Sequence, residues 1–178
     1  MKRSRLAFLC VMLVGGNLFG QENAARPAAV LKEEQVTEQA LIDALASPLE
    51  TRGIRVIGTP QPAAPPASAS LLITFTTNSA HLTPQARKAL DVVVRAFMSE
   101  QLASRHFRIE GHADPRGNPE ANLKLSRERA VAVRDYLHAK GIDNDRLQPV
   151  GKGDQELAKP DEPAAPENRR VTFVAMNN

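Results

Sequence analysis

The sequence predicts an α+β fold, a mixed sheet in the order βαβαββ with two main helices on one face. Three observations carry that reading. Leu71 to Phe75 is a short apolar run of buried-strand type, and Phe107, Ile109 and Gly111 alternate with Arg108, Glu110 and His112, giving a second strand with one wet face. Apolar residues then recur at helical spacing in two places, Ala86, Leu90, Val93, Val94 and Phe97, and later Leu123, Ala130, Val133 and Leu137. Two more apolar runs, 147–151 and 170–176, follow the second helix. Strand–helix–strand crossovers favour parallel neighbours, and a last strand reached without a helix can add antiparallel.

The punctuation supports each element. Thr83-Pro84 places a capping hydroxyl before proline at the first helical position. Asp114-Pro-Arg-Gly-Asn-Pro119 is turn chemistry ahead of the second helix. That helix runs to about Lys140, with Gly141 as a left-handed stop and Ile142 closing the cap. Three prolines and many charges make 152–168 an exposed loop.

Upstream, the chain reads as three parts. Residues 1–20 have a basic start, Lys2, Arg3 and Arg5, and an uncharged run from Leu6 to Phe19, the pattern of a secretory signal peptide cleaved after Gly20. The run is short of the about twenty residues a spanning helix needs. Residues 21–58 form an N-terminal helical segment, helical over 30–46 with Leu41, Ile42 and Leu45 on one side, followed by a short strand at Gly53–Gly58. So short a helix needs a surface to dock on, such as an envelope protein or a second copy of the chain. Residues 59–70 are a Pro/Ala-rich linker, and 71–178 form the folded domain.

Composition excludes several functions. The formal charge of +3 is carried entirely by Lys2, Arg3 and Arg5, and the remaining 20 basic and 20 acidic residues balance, so no nucleic-acid footprint is expected. The one cysteine, Cys10, lies in the signal segment, which rules out a disulfide, a cysteine zinc site or a catalytic thiol downstream, and its flanks do not suit a lipid attachment site. With no Trp and 4% aromatics there is no aromatic sugar platform. His81, His106, His112 and His138 show no ligand spacing, so each reads as structural or solvent-facing, and no metal or cofactor is expected.

The densest chemistry lies in 109–122 and 125–130. Asp114 sits where a strand gives way to a turn, and Asn122, Ser126 and Arg129, at i, i+4 and i+7, share a flank of the second helix. Asn78, after the first strand, and Arg169, before the last, reach the same rim if those strand ends are neighbours. A carboxylate and a guanidinium held apart suit a ligand with both an ammonium and a carboxylate. The same residues also have a structural reading, with Asp114 capping its turn and Arg129 as its surface ion-pair partner.

Four pieces then occur in register: Ile73-Thr-Phe-Thr-Thr-Asn78 with Ala80 and Leu82, Glu110-Gly-His-Ala-Asp-Pro-Arg-Gly117, Asn122-Leu-Lys-Leu-Ser-Arg-Glu-Arg-Ala130 with Val133, Tyr136, Leu137 and Gly141, and Asn168-Arg-Arg-Val171. Together they resemble the OmpA-like (OmpA/MotB/Pal-type) peptidoglycan-binding domain. The resemblance implies a non-catalytic envelope protein, periplasmic or associated with the outer membrane, that grips meso-diaminopimelate of the peptidoglycan stem peptide. It places Asp114 on the ligand's ammonium and Arg129 on its carboxylate, with Asn78, Asn122 and Arg169 in support and main-chain N–H groups near Ala113 and Leu125 as further donors. Ala113 stands where many members have Thr, and Thr76 where Asp is frequent. The likeness stops before residue 70, and 21–68 is too short for an eight-stranded barrel at about 9–11 residues per strand, so no transmembrane barrel is expected. The alternatives are a wall-modifying hydrolase using Asp114 as base with His112, and an adaptor whose OmpA-like domain has lost wall binding.

Overall fold

The computed structural model describes residues 30–46, 66–76 and 78–176. The expected signal segment, the expected strand at Gly53–Gly58 and most of the expected linker lie outside the described residues. The elements are β1 (Val30–Lys32), α1 (Glu38–Ala46), β2 (Ser68–Leu72), α2 (Pro84–Met98), β3 (His106–His112), α3 (Pro119–Ala139), β4 (Leu147–Gly153) and β5 (Val171–Met176). From β2 onward the order is the expected βαβαββ. The sheet runs β1-β2-β5-β3-β4. β1 pairs parallel with β2 and β3 with β4, while β5 lies between β2 and β3 and is antiparallel to both.

One face of the sheet carries the core. Ala69, Leu71, Phe107, Ile109, Val171 and Phe173 alternate inward and meet Leu90, Val93 and Phe97 of α2 and Ala130, Val133 and Leu137 of α3. Phe97 stacks on Phe107 with centroids 3.8 Å apart and meets Phe173 edge-on at 5.5 Å. The local signals act as read: Thr83 Oγ1 accepts from the Ala86 N–H, and Ile142 N–H reaches the Leu137 carbonyl behind Gly141, at φ +101°.

The structure departs from the sequence reading in several places. The helix expected over 30–46 starts only at Glu38, after Thr37, whose hydroxyl accepts from the Ala40 N–H; Val30–Lys32 instead takes the free edge of β2, because an unpaired strand edge outweighs local helix propensity. The strand expected over 71–75 is Ser68–Leu72, so residues 68–70 of the expected linker belong to the sheet, and Phe75 makes only an isolated bridge to Leu82. α1 finds its surface within the same molecule: Leu41 and Leu45 are fully buried where α1 packs on α2 and β2. Glu33 accepts from both the Thr74 N–H (2.7 Å) and its hydroxyl (2.9 Å), tying this segment to the loop after β2. Finally, Leu123 is 44% exposed, and Ser126 takes the inward place on α3.

Two glycines set the distance between α3 and the sheet. A Cβ on Gly111 would stand 2.1 Å from the Ser126 carbonyl oxygen, and one on Gly151 would stand 2.8 Å from Arg127 and from the Leu123 carbonyl. Only bare backbone allows so close an approach. In the gap the Ser126 hydroxyl donates to the Leu123 carbonyl and accepts from the Gly153 N–H at 3.0 Å. No helix among the described residues is long and apolar enough to cross a membrane.

Candidate functional site

The ends of β2 and β3, the start of β5 and the first half of α3 converge on a cleft of about 540 Å³. Asn78, Ala113, Asp114, Asn122, Leu125, Arg129 and Arg169, all singled out in the sequence, line it together with Phe75 and Arg116. Ser126 does not, because it points into the sheet; the stripe of α3 facing the cleft is Asn122, Leu125 and Arg129, at i, i+3 and i+7.

Asp114 is the buried charge of the cleft. Its Oδ1 accepts from the Arg116 main-chain N–H (3.1 Å) and Nε (3.0 Å), and its Oδ2 accepts from an Arg116 terminal nitrogen (2.8 Å) and from Arg169 (2.9 Å). The Arg116 guanidinium, reinforced by Arg169 and opposed by burial, holds the carboxyl well below the usual carboxylate range, so Asp114 is ionised at any physiological pH. Asn122 clamps the turn beneath it, donating to the carbonyls of Asp114 (3.1 Å) and Arg116 (3.2 Å). Asn118 caps α3 by accepting from the Glu120 and Ala121 N–H groups, with Pro119 at the first helical position.

Arg129 lines the same cleft from α3. Its Nε donates to the Ser79 carbonyl at 3.1 Å and its guanidinium lies 4.9 Å from the centre of the Phe75 ring. Among the described residues it meets no carboxylate, so Asp114 is not its ion-pair partner; Arg116 and Arg169 take that role. Burial, with Arg169 nearby, makes its positive charge less favourable than in water. Asn78 holds the bend behind β2 at φ +49°, a conformation asparagine tolerates better than most residues. The main-chain donors expected near Ala113 and Leu125 are already used: Ala113 N–H bonds the Gly153 carbonyl at 2.7 Å, and Leu125 lies beyond the first turn of α3. Phe75 and Arg116 were present in the sequence motifs but carried no role there. The arrangement offers one anionic and several cationic groups across a polar gap.

His112 belongs to the other side of the sheet. The ring is buried beside Glu110, Lys152, Glu156 and Arg170, lining a second cavity rather than a wet face. Burial first, then Arg170, pushes it down to about 3, so it is neutral. The Glu156 main chain lies close enough to favour protonation slightly, yet neither ring nitrogen has a partner of hydrogen-bonding geometry. Glu110, His112 and Glu156 are spaced as metal ligands, but Arg108 (2.7 Å from Glu110) and Lys152 (2.8 Å from Glu156) already neutralise both carboxylates, with Arg170 beside them. Three cations around two anions make this a poor seat for a metal ion.

The described residues thus form an α+β sheet with a charged cleft at the ends of its parallel strands. The chain belongs to the OmpA family, whose family model matches residues 74–170. It is 44% identical over 68 residues to the peptidoglycan-associated lipoprotein of Haemophilus influenzae, covering 37% of this chain and 44% of that one. It is 38% identical over 81 residues to outer membrane protein A of Yersinia pseudotuberculosis, covering 46% of this chain and 23% of that one. The chain thus spans less than half the length of either relative. Among solved structures, the peptidoglycan-associated lipoprotein of Burkholderia pseudomallei superposes with a TM-score of 0.50 at 29% identity, covering 60% of this chain and 89% of that one. The periplasmic domain of Helicobacter pylori MotB (residues 78–256) superposes with a TM-score of 0.56 over 71% of this chain and 87% of that one, at 15% identity, a likeness of fold alone.

Proposed function

We propose that the protein is a non-catalytic component of the cell envelope that holds peptidoglycan noncovalently, on the periplasmic side, through the diaminopimelate of the stem peptide. The observation that carries this reading is a nearly buried, ionised Asp114 lining one cleft with Arg129, which meets no carboxylate among the described residues, and with Arg169. The free end of diaminopimelate bears an ammonium and a carboxylate on one carbon. Asp114 takes the ammonium, Arg129 and Arg169 take the carboxylate, Phe75 and Leu125 cover the methylene chain, and Asn122 and Asn78 keep the two turns in place. The names of the relatives support a wall ligand.

A hydrolase is disfavoured by the same geometry. Asp114 is too weak a base while two guanidiniums hold it ionised, His112 lines a different cavity, and Ser126 is wholly buried. The N-terminal helix no longer argues for an envelope partner, since its apolar side is covered by α2. The test is calorimetric titration of the purified chain with a stem peptide ending in diaminopimelate, beside an Arg129→Ala variant. Saturable binding lost in the variant is the expected result, and absence of binding by the folded chain overturns the reading.

A further inference from the structure

We propose that Arg116 makes this cleft selective by an exchange of ion pairs: it occupies the place of the ligand's ammonium on Asp114, leaves when the ammonium arrives, and then receives the ligand's carboxylate. The proposal rests on the binding reading above and adds a residue that sets its specificity.

The unliganded carboxylate is saturated. Four donors reach its two oxygens at 2.8–3.1 Å, three of them from Arg116. No ammonium can approach Asp114 until a guanidinium withdraws. The two candidates differ. Arg169 is also within reach of the Ala164 carbonyl at 3.5 Å, and it leaves Asp114 only one hydrogen bond. The Arg116 side chain is 65% exposed over a carboxylate that is 7% exposed, and among the described residues its guanidinium touches nothing but Asp114. Its main chain would stay behind, held by its N–H on Asp114 Oδ1 and by Asn122 on its carbonyl. Gly117, at φ +94° with open space around it, follows directly. The side chain can therefore swing outward while the turn that presents Asp114 is kept.

Charge decides which ligands benefit. Arg116, Arg129, Arg169 and Asp114 leave the cleft with a net charge of +2. A ligand with an ammonium alone, such as a lysine side chain, raises that charge to +3 and strands a guanidinium that has lost two charge-assisted bonds. A ligand with a carboxylate on the same carbon adds no net charge, and it gives the displaced Arg116 a partner on the solvent side of the one Arg129 grips from within. Arg116 thus acts against amines and in favour of amino-acid ends.

The experiment compares two probes, a stem peptide ending in diaminopimelate and its lysine counterpart, against the purified chain and its Arg116→Gln, Arg116→Lys and Asp114→Asn variants. Arg116→Gln is expected to narrow the preference for diaminopimelate by about tenfold, with the lysine peptide binding more tightly because Asp114 is no longer contested. Arg116→Lys should keep part of the preference. If both peptides shift by the same factor in Arg116→Gln, or neither shifts, the exchange is overturned while the binding reading stands. If the parent binds neither peptide, or Asp114→Asn binds both as the parent does, the binding reading fails and takes this proposal with it.

Discussion

Replacing Gly111 with alanine would set a methyl group 2.1 Å from the Ser126 carbonyl oxygen and 3.0 Å from its carbonyl carbon. A carbon rests no closer than about 3.3 Å to a carbonyl oxygen, so β3 and α3 must part by about 1 Å. Neither neighbour is a flexible side-chain end: both are main chain, and Ser126 is fixed by its bonds to Leu123 and Gly153. The helix has no easy direction of retreat along the sheet, because Gly151 also meets it tightly one strand away, at 2.8 Å. Overpacking of this kind costs about 1–3 kcal/mol, and the lack of relief puts Gly111→Ala near the upper end. For a domain of this size that corresponds to a drop in Tm of roughly 10 °C. Urea unfolding followed by circular dichroism measures the first effect. Titration with the diaminopimelate peptide measures the second, a loss of affinity, since β3 leads directly into Asp114 while α3 carries Arg129. Gly117→Ala is the control: nothing lies within 4 Å of its Cβ, so only its positive φ opposes the change, by about 1 kcal/mol. A Gly111→Ala protein within about 0.5 kcal/mol of its parent would refute the idea that bare backbone sets the helix–sheet distance.

Other expectations follow from single residues. His112 is neutral in the fold down to about pH 3, whereas the unfolded chain protonates it near 6.5, so its share of stability is complete above 6.5 and is lost as pH falls toward 3. Stability by urea titration should fall by about 2 kcal/mol between pH 6.5 and 5, and a His112→Asn variant should show a flatter profile; equal slopes would contradict this. Asp114 adds a loss of the same sign at lower pH, through its depressed carboxyl. Leu41→Ala should destabilise the whole domain by about 2–5 kcal/mol in one transition, and an unchanged main transition would mean that α1 unfolds separately. Asp114→Asn should weaken diaminopimelate-peptide binding by about 2–5 kcal/mol, Arg129→Ala comparably and Asn122→Ala less, all read by calorimetry.

The parts of the fold written in local chemistry were legible beforehand. Thr83-Pro84, the spacing of Leu90, Val93 and Phe97, and Gly141-Ile142 each act within a few residues of themselves, and the structure uses them as read. β1 was not legible, because Val30–Lys32 is a strand only by virtue of residues 70–72 beside it, some forty positions away. Its residues also continue the helical pattern of Leu41 and Leu45. His112 alternates with apolar neighbours and so reads as wet, while the covering groups Glu156, Leu157 and Ala158 come from a loop whose path no periodicity reports. All seven residues singled out for the site line one cleft, but spacing alone could not choose between Leu125 and Ser126, since both lie near the flank of Arg129. Arg116 was hidden for another reason: in a turn sequence it is one polar letter, and only coordinates show it closing on Asp114.

The direction of the strands has a mechanical consequence. β1, β2, β3 and β4 all run the same way, and Phe75, Asn78, Ala113 and Asp114 follow the far ends of β2 and β3. The chain upstream of Val30 therefore enters at the end of the sheet opposite the cleft. A load between that upstream chain and anything gripped at Asp114 is directed along the strands, so the ladder bonds that cross between strands are sheared together instead of being peeled one at a time. Tension pulls β1 lengthwise against Ser70, Leu71 and Leu72, with the Glu33–Thr74 bonds in series behind it. A domain built this way resists being drawn out from its N-terminal side better than its short edge strand alone would suggest.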